Sequence, residues 1–182
     1  MNSEVRLMSM EARQKLPQNI HALIGEIGEK LVLLRLAVLC HQTAGWSVFQ
    51  NIGEAGFDIL LLNTVTNERR SIEVKTRQKL YTTGKNRQQV MFQMTVGEYQ
   101  ACDVLLACFL DTQTIYVIPK DELRQASGGQ RWRFVVTTNS QGLPHPRFKQ
   151  FESAWHLIHP DFAGKPVALD GDADDELEEP VG

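Results

Sequence analysis

Cysteine is scarce in this chain of 182 residues: Cys40, Cys102 and Cys108 are odd in number and include no CxxC pair. A disulfide framework is therefore not expected, and the pattern fits a reducing compartment. Nor is there an apolar run near the roughly 20 residues that a membrane-spanning helix needs. Met1 to Gln18 is too polar for the apolar stretch of a secretory signal, so the expected location is cytoplasmic and no membrane partner is expected. No Gly-x-x-x-x-Gly-Lys-Ser/Thr loop occurs, which leaves ATP-driven action without its phosphate cradle. No internal repeat is visible. What the chain does have is 42% hydrophobic residues, enough for one good core, and a single domain is the expectation. That domain is expected over 18–165. Residues 1–17 form an arm without a clear period, and 166–182 an acidic, aromatic-free tail whose composition predicts disorder.

A net charge of −3 argues at first against a polyanionic partner, but the average hides a division. Seven acids and no base fall between Asp170 and Gly182, so residues 1–169 hold 15 acids against 19 Lys and Arg, a body of +4. Between Arg69 and Arg87 seven basic residues stand against Glu73 alone. A run of this kind is as often a solvated face; beside an acidic cluster it points to contact with phosphate. The tail either mimics DNA toward a protein partner or shields the basic face of its own body.

Along the chain, Ile20, Leu23, Ile24, Ile27, Leu31, Leu34 and Val38 recur at helical spacing. They predict a long helix from Asn19 and form the stripe that such a helix turns to a core. Glu29 lies opposite that stripe, on a side that Leu33 and Leu36 make apolar, so the helix is expected to be covered on both flanks with Glu29 partly enclosed. Glu26, about 60° away, is the alternative acid. Gly25 and Gly28 each cost about 1 kcal/mol of helix stability against alanine, tolerable where something packs close. Three strands follow, Trp46–Ile52, Gly56–Leu62 and Ser71–Gln78, the last two joined by a polar hairpin turn around Asn67. Lys79–Gln89 is a basic, glycine-punctuated loop suited to ordering on a ligand. A short strand at Val90–Met94 leads to Thr95-Val96-Gly97-Glu98, a capping box that starts a short helix. The continuous apolar run Val104–Leu110 predicts a strand buried on both faces, and Thr114–Ile118 returns beside it. A proline-led turn at Pro119–Leu123, a strand at Arg131–Thr138 and an amphipathic helix over Phe148–Ile158, with Phe151, Ala154, Trp155 and Ile158 inward, complete the reading.

The stretch that carries chemistry is Ser71-Ile72-Glu73-Val74-Lys75-Thr76-Arg77-Gln78. Strand alternation sets Glu73, Lys75 and Arg77 on one face, with successive members roughly 7 Å apart along the backbone. In the preceding strand Asp58 is the lone charge in an apolar run. If the hairpin pairs residues whose numbers sum to an odd value, as Asp58 opposite Glu73 or Lys75 would, the three share a face; a slip of one residue separates them. Other constellations weigh less. His156 and His159 lack a second pair to complete a zinc site. Cys40 beside His41 has no orienting partner, so a buried thiol is the simpler reading. Gln88 and Gln89 suit base contacts, though exposed glutamines usually face water.

With Glu29 in Gly25-Glu26-Ile27-Gly28-Glu29, Asp58 opening the second strand, and Glu73 and Lys75 as an E-x-K on the third, the chain resembles the PD-(D/E)XK, or restriction-endonuclease-like, nuclease superfamily over about Asn19 to Leu123. Phe57 stands where the family's name has proline. The Gly-x-x-x-Glu helix start and the basic exit Lys75-Thr76-Arg77 look most like Holliday-junction resolvases and small intron-encoded or phage-type endonucleases. The resemblance implies an α/β fold with an αβββαβ core, a central mixed sheet flanked by helices, and C-terminal strand and helix additions. It implies a Mg²⁺-dependent DNA endonuclease, with Mn²⁺ able to substitute. Asp58 and Glu73 would be ligands, joined by the Val74 carbonyl and, through water, by Glu29. Lys75 would hold the attacking water or stabilise the transition state as a fixed positive charge. Arg77, Lys79, Lys85 and Arg87 would meet the backbone of duplex or branched DNA, and cutting two strands favours a symmetric homodimer. The competing expectation is a nucleic-acid-binding or assembly module that keeps the fold without catalysis.

Overall fold

In a computed structural model of the chain, the described residues are 17–52, 56–78, 89–139 and 143–165. The arm 1–16, the tail 166–182 and the expected phosphate contacts Lys79, Lys85 and Arg87 lie outside them.

Helix α1 (Gln18–His41) leads into β1 (Trp46–Gln50), β2 (Ile59–Asn63) and β3 (Arg69–Arg77). Then come β4 (Gln89–Thr95), the short helix α2 (Val96–Ala101), β5 (Val104–Phe109) and β6 (Thr114–Pro119). The described residues continue through a 3₁₀ turn at Lys120–Glu122, β7 (Arg124–Gln125) and β8 (Arg131–Thr137) to three further 3₁₀ turns, Pro146–Phe151, Trp155–Leu157 and Pro160–Phe162. The strands build a five-stranded sheet in the order β1-β2-β3-β5-β6 and a three-stranded sheet in the order β4-β8-β7. β3 and β5 run parallel while the remaining pairs of the larger sheet are antiparallel, so that sheet is mixed.

The larger sheet owes its central position to β5. Every side chain of Val104–Phe109 is buried, as a continuous apolar strand requires when both of its faces are covered. On one face Val104, Leu106 and Cys108 join Ile72 and Val74 of β3 under Val32, Leu36 and Leu39 of α1. On the other, Leu105, Ala107 and Phe109 meet Val90, Phe92 and Met94 of β4 and Phe134 and Val136 of β8. The flanking helix α2 is short, six residues with none buried, and the small sheet covers the rest of this face.

The β2–β3 turn follows from Asn63, whose Oδ1 accepts the Val65 and Thr66 N–H groups at 3.0 Å each, and from Asn67, which sits at φ 60°, a left-handed conformation that asparagine tolerates. The register pairs Ile59 with Ile72 and Leu61 with Arg70, sums that are odd, as the shared-face expectation required.

Two expectations are overturned. α1 turns Gly28, Val32, Leu36, Leu39 and Cys40 inward, whereas Ile20, Leu23, Ile27 and Leu34 of the expected core stripe are exposed. The reason is Gly28: a Cβ there would lie 2.0 Å from Thr76 Oγ1, so the helix meets β3 on the side where it has no side chain. The segment Phe148–Ile158 is not a helix but 3₁₀ turns, interrupted where Glu152 bridges Tyr116 and Ser153 takes φ 50°. Its expected inward residues Phe151, Ala154, Trp155 and Ile158 are nevertheless buried. No helix among the described residues is long and apolar enough to cross a membrane.

Candidate active site

The site forms where β2 and β3 part. Their ladder ends at Ile59 opposite Ile72, and one step further the Asp58 N–H still donates to the Ile72 carbonyl at 2.9 Å. Beyond it the chain diverges, through Phe57, whose carbonyl takes an Asn51 side-chain N–H at 2.8 Å, to Gly56 at φ 122°. A Cβ at Gly56 would lie 2.7 Å from Ala101 Cβ, so only glycine lets the strand leave by this path. In the opening the Asp58 carboxylate replaces a strand partner: its Oδ2 accepts the Val74 N–H at 2.7 Å. Strand geometry points the Val74 carbonyl to the same side as its N–H, and no residue of β2 stands opposite it.

Glu73 is 3% exposed. Its carboxylate is ion-paired to Lys75 Nζ, which also reaches Glu98 Oε1 at 3.0 Å. Glu98 lies on α2, held by a completed capping box in which its Oε2 accepts the Thr95 N–H at 2.6 Å while Thr95 Oγ1 accepts its own N–H at 3.2 Å. From the opposite side α1 brings Glu29 within the electrostatic reach of Asp58 and Lys75. Gly28 fixes this approach by letting the helix rest on Thr76.

The electrostatics is that of a crowded acidic pocket around one ammonium. Burial, and then the Asp58 and Glu98 charges, push Glu73 up to about 8 despite its bonds to Lys75. Burial also raises Asp58, against the bond from Val74 N–H and the charge of Lys75. Glu29 is raised by burial and by Asp58. Lys75 would be lowered by burial alone, but Glu73 and Glu98 outweigh it and hold the ammonium above its ordinary value. Glu98 also feels burial, which its Thr95 and Lys75 bonds overcome, leaving it below the usual carboxylate range.

The structure therefore brings together Asp58, Glu73, Lys75 and Glu29, and adds Glu98, which the sequence reading assigned only to helix capping. Glu26 is exposed and reaches the group only through Glu29. Arg77 is exposed, with Nη2 donating to the Met91 carbonyl at 3.1 Å. Among the described residues no three His, Cys, Asp or Glu side chains already stand in a metal-ligating cluster; the Lys75 ammonium lies against Glu73, where a cation would draw its charge. His159 is engaged elsewhere, with Glu68 at 3.2 Å, Asp161 at 3.3 Å and the Trp46 ring, and His156 is exposed. Cys40 is buried and its thiol pushed up to about 11 by burial, a poor nucleophile.

This architecture defines the class of the chain: an α/β protein of the restriction-endonuclease-like fold, with a helix acid, a strand-opening aspartate and an E-x-K strand meeting at one split in a mixed sheet. Among solved structures, the chain is similar to a bacterial homing endonuclease, I-Ssp6803I, at 19% identity and a TM-score of 0.54, over 78% of this chain and 93% of that one. It is also similar, at 15% identity and a TM-score of 0.42, to Hjc, a Holliday junction resolvase from the archaeal hyperthermophile Archaeoglobus fulgidus, over 60% of this chain and 82% of that one. No family model matches the sequence, and no curated protein does.

Proposed function

We propose that the chain is a divalent-metal-dependent DNA endonuclease that hydrolyses phosphodiester bonds. The observation that carries the proposal is the convergence of Asp58, Glu73, Lys75 and Glu29, from three elements, at the opening between β2 and β3. The donor chemistry suits Mg²⁺, with Mn²⁺ as a substitute: carboxylates and a free-facing strand carbonyl are hard oxygen ligands. Three carboxylates held toward their protonated forms are also groups that a nearby cation would relieve. Asp58, Glu73 and the Val74 carbonyl would hold the ion, with Glu29 acting through water. When bound, it supplies Lewis-acid charge at the scissile phosphate and a water of lowered pKa.

The remaining work falls to the chain itself. Lys75 must release Glu73 for that carboxylate to become a ligand, and Glu98, already 3.0 Å from its Nζ, keeps the ammonium in the site. There it stabilises the charge that builds on the phosphate. Arg77, Lys79, Lys85 and Arg87, on and after the same strand, contact the DNA backbone. The buried, unpaired thiols Cys40, Cys102 and Cys108 suit a reducing, cytoplasmic setting. A symmetric dimer would bring two sites to a duplex, and the exposed stripe Ile20, Leu23, Ile27 and Leu34 of α1 supports it as a patch able to pair with its own copy about a two-fold axis.

The test is incubation with linear, supercoiled and four-way-junction DNA, with and without Mg²⁺. Asp58→Ala and Glu73→Ala should abolish cleavage, and Lys75→Ala should lose cleavage while keeping DNA and metal binding. Cleavage by Asp58→Ala at the wild-type rate would end the proposal.

A further inference from the structure

The small sheet has a second face. Val90, Phe92, Met94, Phe134 and Val136 point to the core, so strand alternation turns Arg133, Val135 and Thr137 of β8 outward, with Gln93, Met91 and Gln89 of β4 in register beside them. The far edge of β8 is incomplete. β7 pairs only with Arg133 and Trp132, and the chain returns to that edge only where Pro144 bridges Thr138 and the His145 N–H reaches the Thr137 carbonyl at 2.9 Å. Between the two, among the described residues, 134–136 face no strand. The Arg131 and Thr137 carbonyls point toward this edge, accepting from the Ala126 and His145 N–H groups, and the same alternation aims the Val135 N–H into the gap.

A cavity of about 560 Å³ opens there, bounded by Arg124, Arg133 and Arg147, with Gln89, Gln150 and Thr137 at its rim. The three arginines come from three elements. Arg124 and Arg133 stand directly opposite each other across β7 and β8, a like-charge pair that is destabilising in the absence of an anion. Glu122 shares the cavity, yet among the described residues no carboxylate is within ion-pair distance of any of the three. Arg147 is held with its guanidinium 4.6 Å from the Phe148 ring centre and Nη2 3.5 Å from Thr137 Oγ1.

We infer that this cleft is a second, non-catalytic nucleic-acid contact, one that grips the phosphate backbone of duplex DNA to one side of the cut. Guanidinium forks, a strand N–H, glutamine amides and a threonine hydroxyl are the groups that hold phosphate without reading sequence. Concentrated positive charge with no ion pair among the described residues is stabilised when a polyanion supplies one. Its position fits a substrate shared with the active site. Arg131 pairs with Thr95, the N-cap that holds Glu98 beside Lys75, and Val135 lies four residues further along β8, roughly 14 Å away. The cleft is therefore carried by the same small sheet as the residue that caps Glu98, a few residues along β8 from the strand end beside it.

The inference rests on the nuclease reading, and the experiment separates the two. Affinity of the full chain for a labelled 30-base-pair duplex is measured in EDTA across a salt series, for wild type, for Arg124→Ala/Arg147→Ala, which alters two exposed side chains, and for the triple variant with Arg133→Ala. Each lost phosphate contact lowers the slope of log affinity against log salt by about 0.9. The double variant should thus lose about 2 from the slope and the triple nearly 3, with about tenfold or greater weakening at physiological salt. With Mg²⁺ present the loss should appear in KM for long duplexes and vanish for duplexes cut short on that flank. Unchanged slopes in variants of a wild type that cuts DNA would overturn the cleft alone. A wild type that neither binds nor cuts any duplex would overturn the nuclease reading as well. If truncation after Lys165 tightens wild-type binding and the arginine variants match the truncated chain, the cleft holds the acidic tail and the inference fails.

Discussion

Gly28 is the point on which the position of Glu29 depends, and replacing it by alanine measures how tightly α1 rests on β3. The added Cβ would lie 2.0 Å from Thr76 Oγ1, 2.5 Å from Cγ2 and 2.7 Å from Cβ. Rotating Thr76 relieves the first two contacts but not the third, so the helix must back away by about 0.8 Å to reach an ordinary carbon–carbon separation of about 3.5 Å. Overpacking of this kind costs about 1–3 kcal/mol, against about 1 kcal/mol gained from removing a helical glycine. The net loss is about 1–2 kcal/mol at the upper end of that range. Gly25 is the matched control, one turn earlier and with nothing within 4 Å of its Cβ position; Gly25→Ala should gain about 1 kcal/mol. In thermal unfolding at about 2–4 °C per kcal/mol for a domain of this size, the two variants should move in opposite directions, and Gly28→Ala should also slow cleavage because Glu29 retreats from Asp58. If both substitutions raise Tm equally, α1 does not pack on β3 through Gly28 and the placement of Glu29 is wrong.

Three further outcomes follow from the site and the core. Glu73 sits at about 8 in the folded protein against an ordinary 4.5, so the folded state holds a proton that the unfolded chain releases. That contribution is complete below about pH 4.5 and is lost as pH rises through about 8. Urea midpoints should fall between pH 5 and 9, Glu73→Gln should flatten the fall, and a midpoint that rises over this window would contradict the burial of Glu73. Because a divalent ion competes with the same proton, Mg²⁺ should raise Tm more at pH 8 than at pH 6, and Asp58→Ala should remove the increment. Leu36→Ala, at a fully buried position, should cost about 2–5 kcal/mol, whereas Leu34→Glu, 49% exposed, should change the urea midpoint little and instead lower the sedimentation coefficient of the proposed dimer to that of a monomer.

What the sequence disclosed, and what it hid, has local causes. The β2–β3 hairpin was legible because the polar turn centres on Asn67 and Asp58 interrupts an otherwise apolar strand, while its register stood only as a condition, one that Ile59 opposite Ile72 meets. The orientation of α1 was not, because the helix has two apolar sides and the richer one faces outward. The inward side is nucleated by Gly28, which contributes closeness rather than hydrophobicity and so is invisible to a pattern of apolar residues. Glu29, expected to be partly enclosed on the side opposite that stripe, lies toward the sheet because the stripe itself is the exposed side. Glu98 escaped because its capping box already explained it. One carboxylate oxygen caps α2 while the other holds Lys75, and nothing in Thr-x-x-Glu distinguishes a cap from a cap with a second task. The 3₁₀ turns after Pro146 carry the apolar spacing of a helix but are pinned by the Glu152–Tyr116 bridge, a tertiary contact no local pattern contains.

The same electrostatics favours the proposed enzyme over a module that keeps the fold for binding alone. Replacing a buried ion pair by apolar residues of similar volume is often neutral or stabilising, and here the pair is worse than isolated, because burial lifts Asp58, Glu73 and Glu29 above their ordinary pKa values and the Asp58 charge adds to the rise of the other two. A binding module needs none of this: its phosphate contacts would be served by Arg77 and the arginines of the small sheet, which lie apart from the carboxylates. Acids crowded at the one place where a strand carbonyl and an ammonium also converge lower stability at neutral pH, and they repel a polyanion unless a cation stands between. A cation between the carboxylates and a phosphate would remove both costs, and beside Lys75 it would supply what the proposed hydrolysis needs.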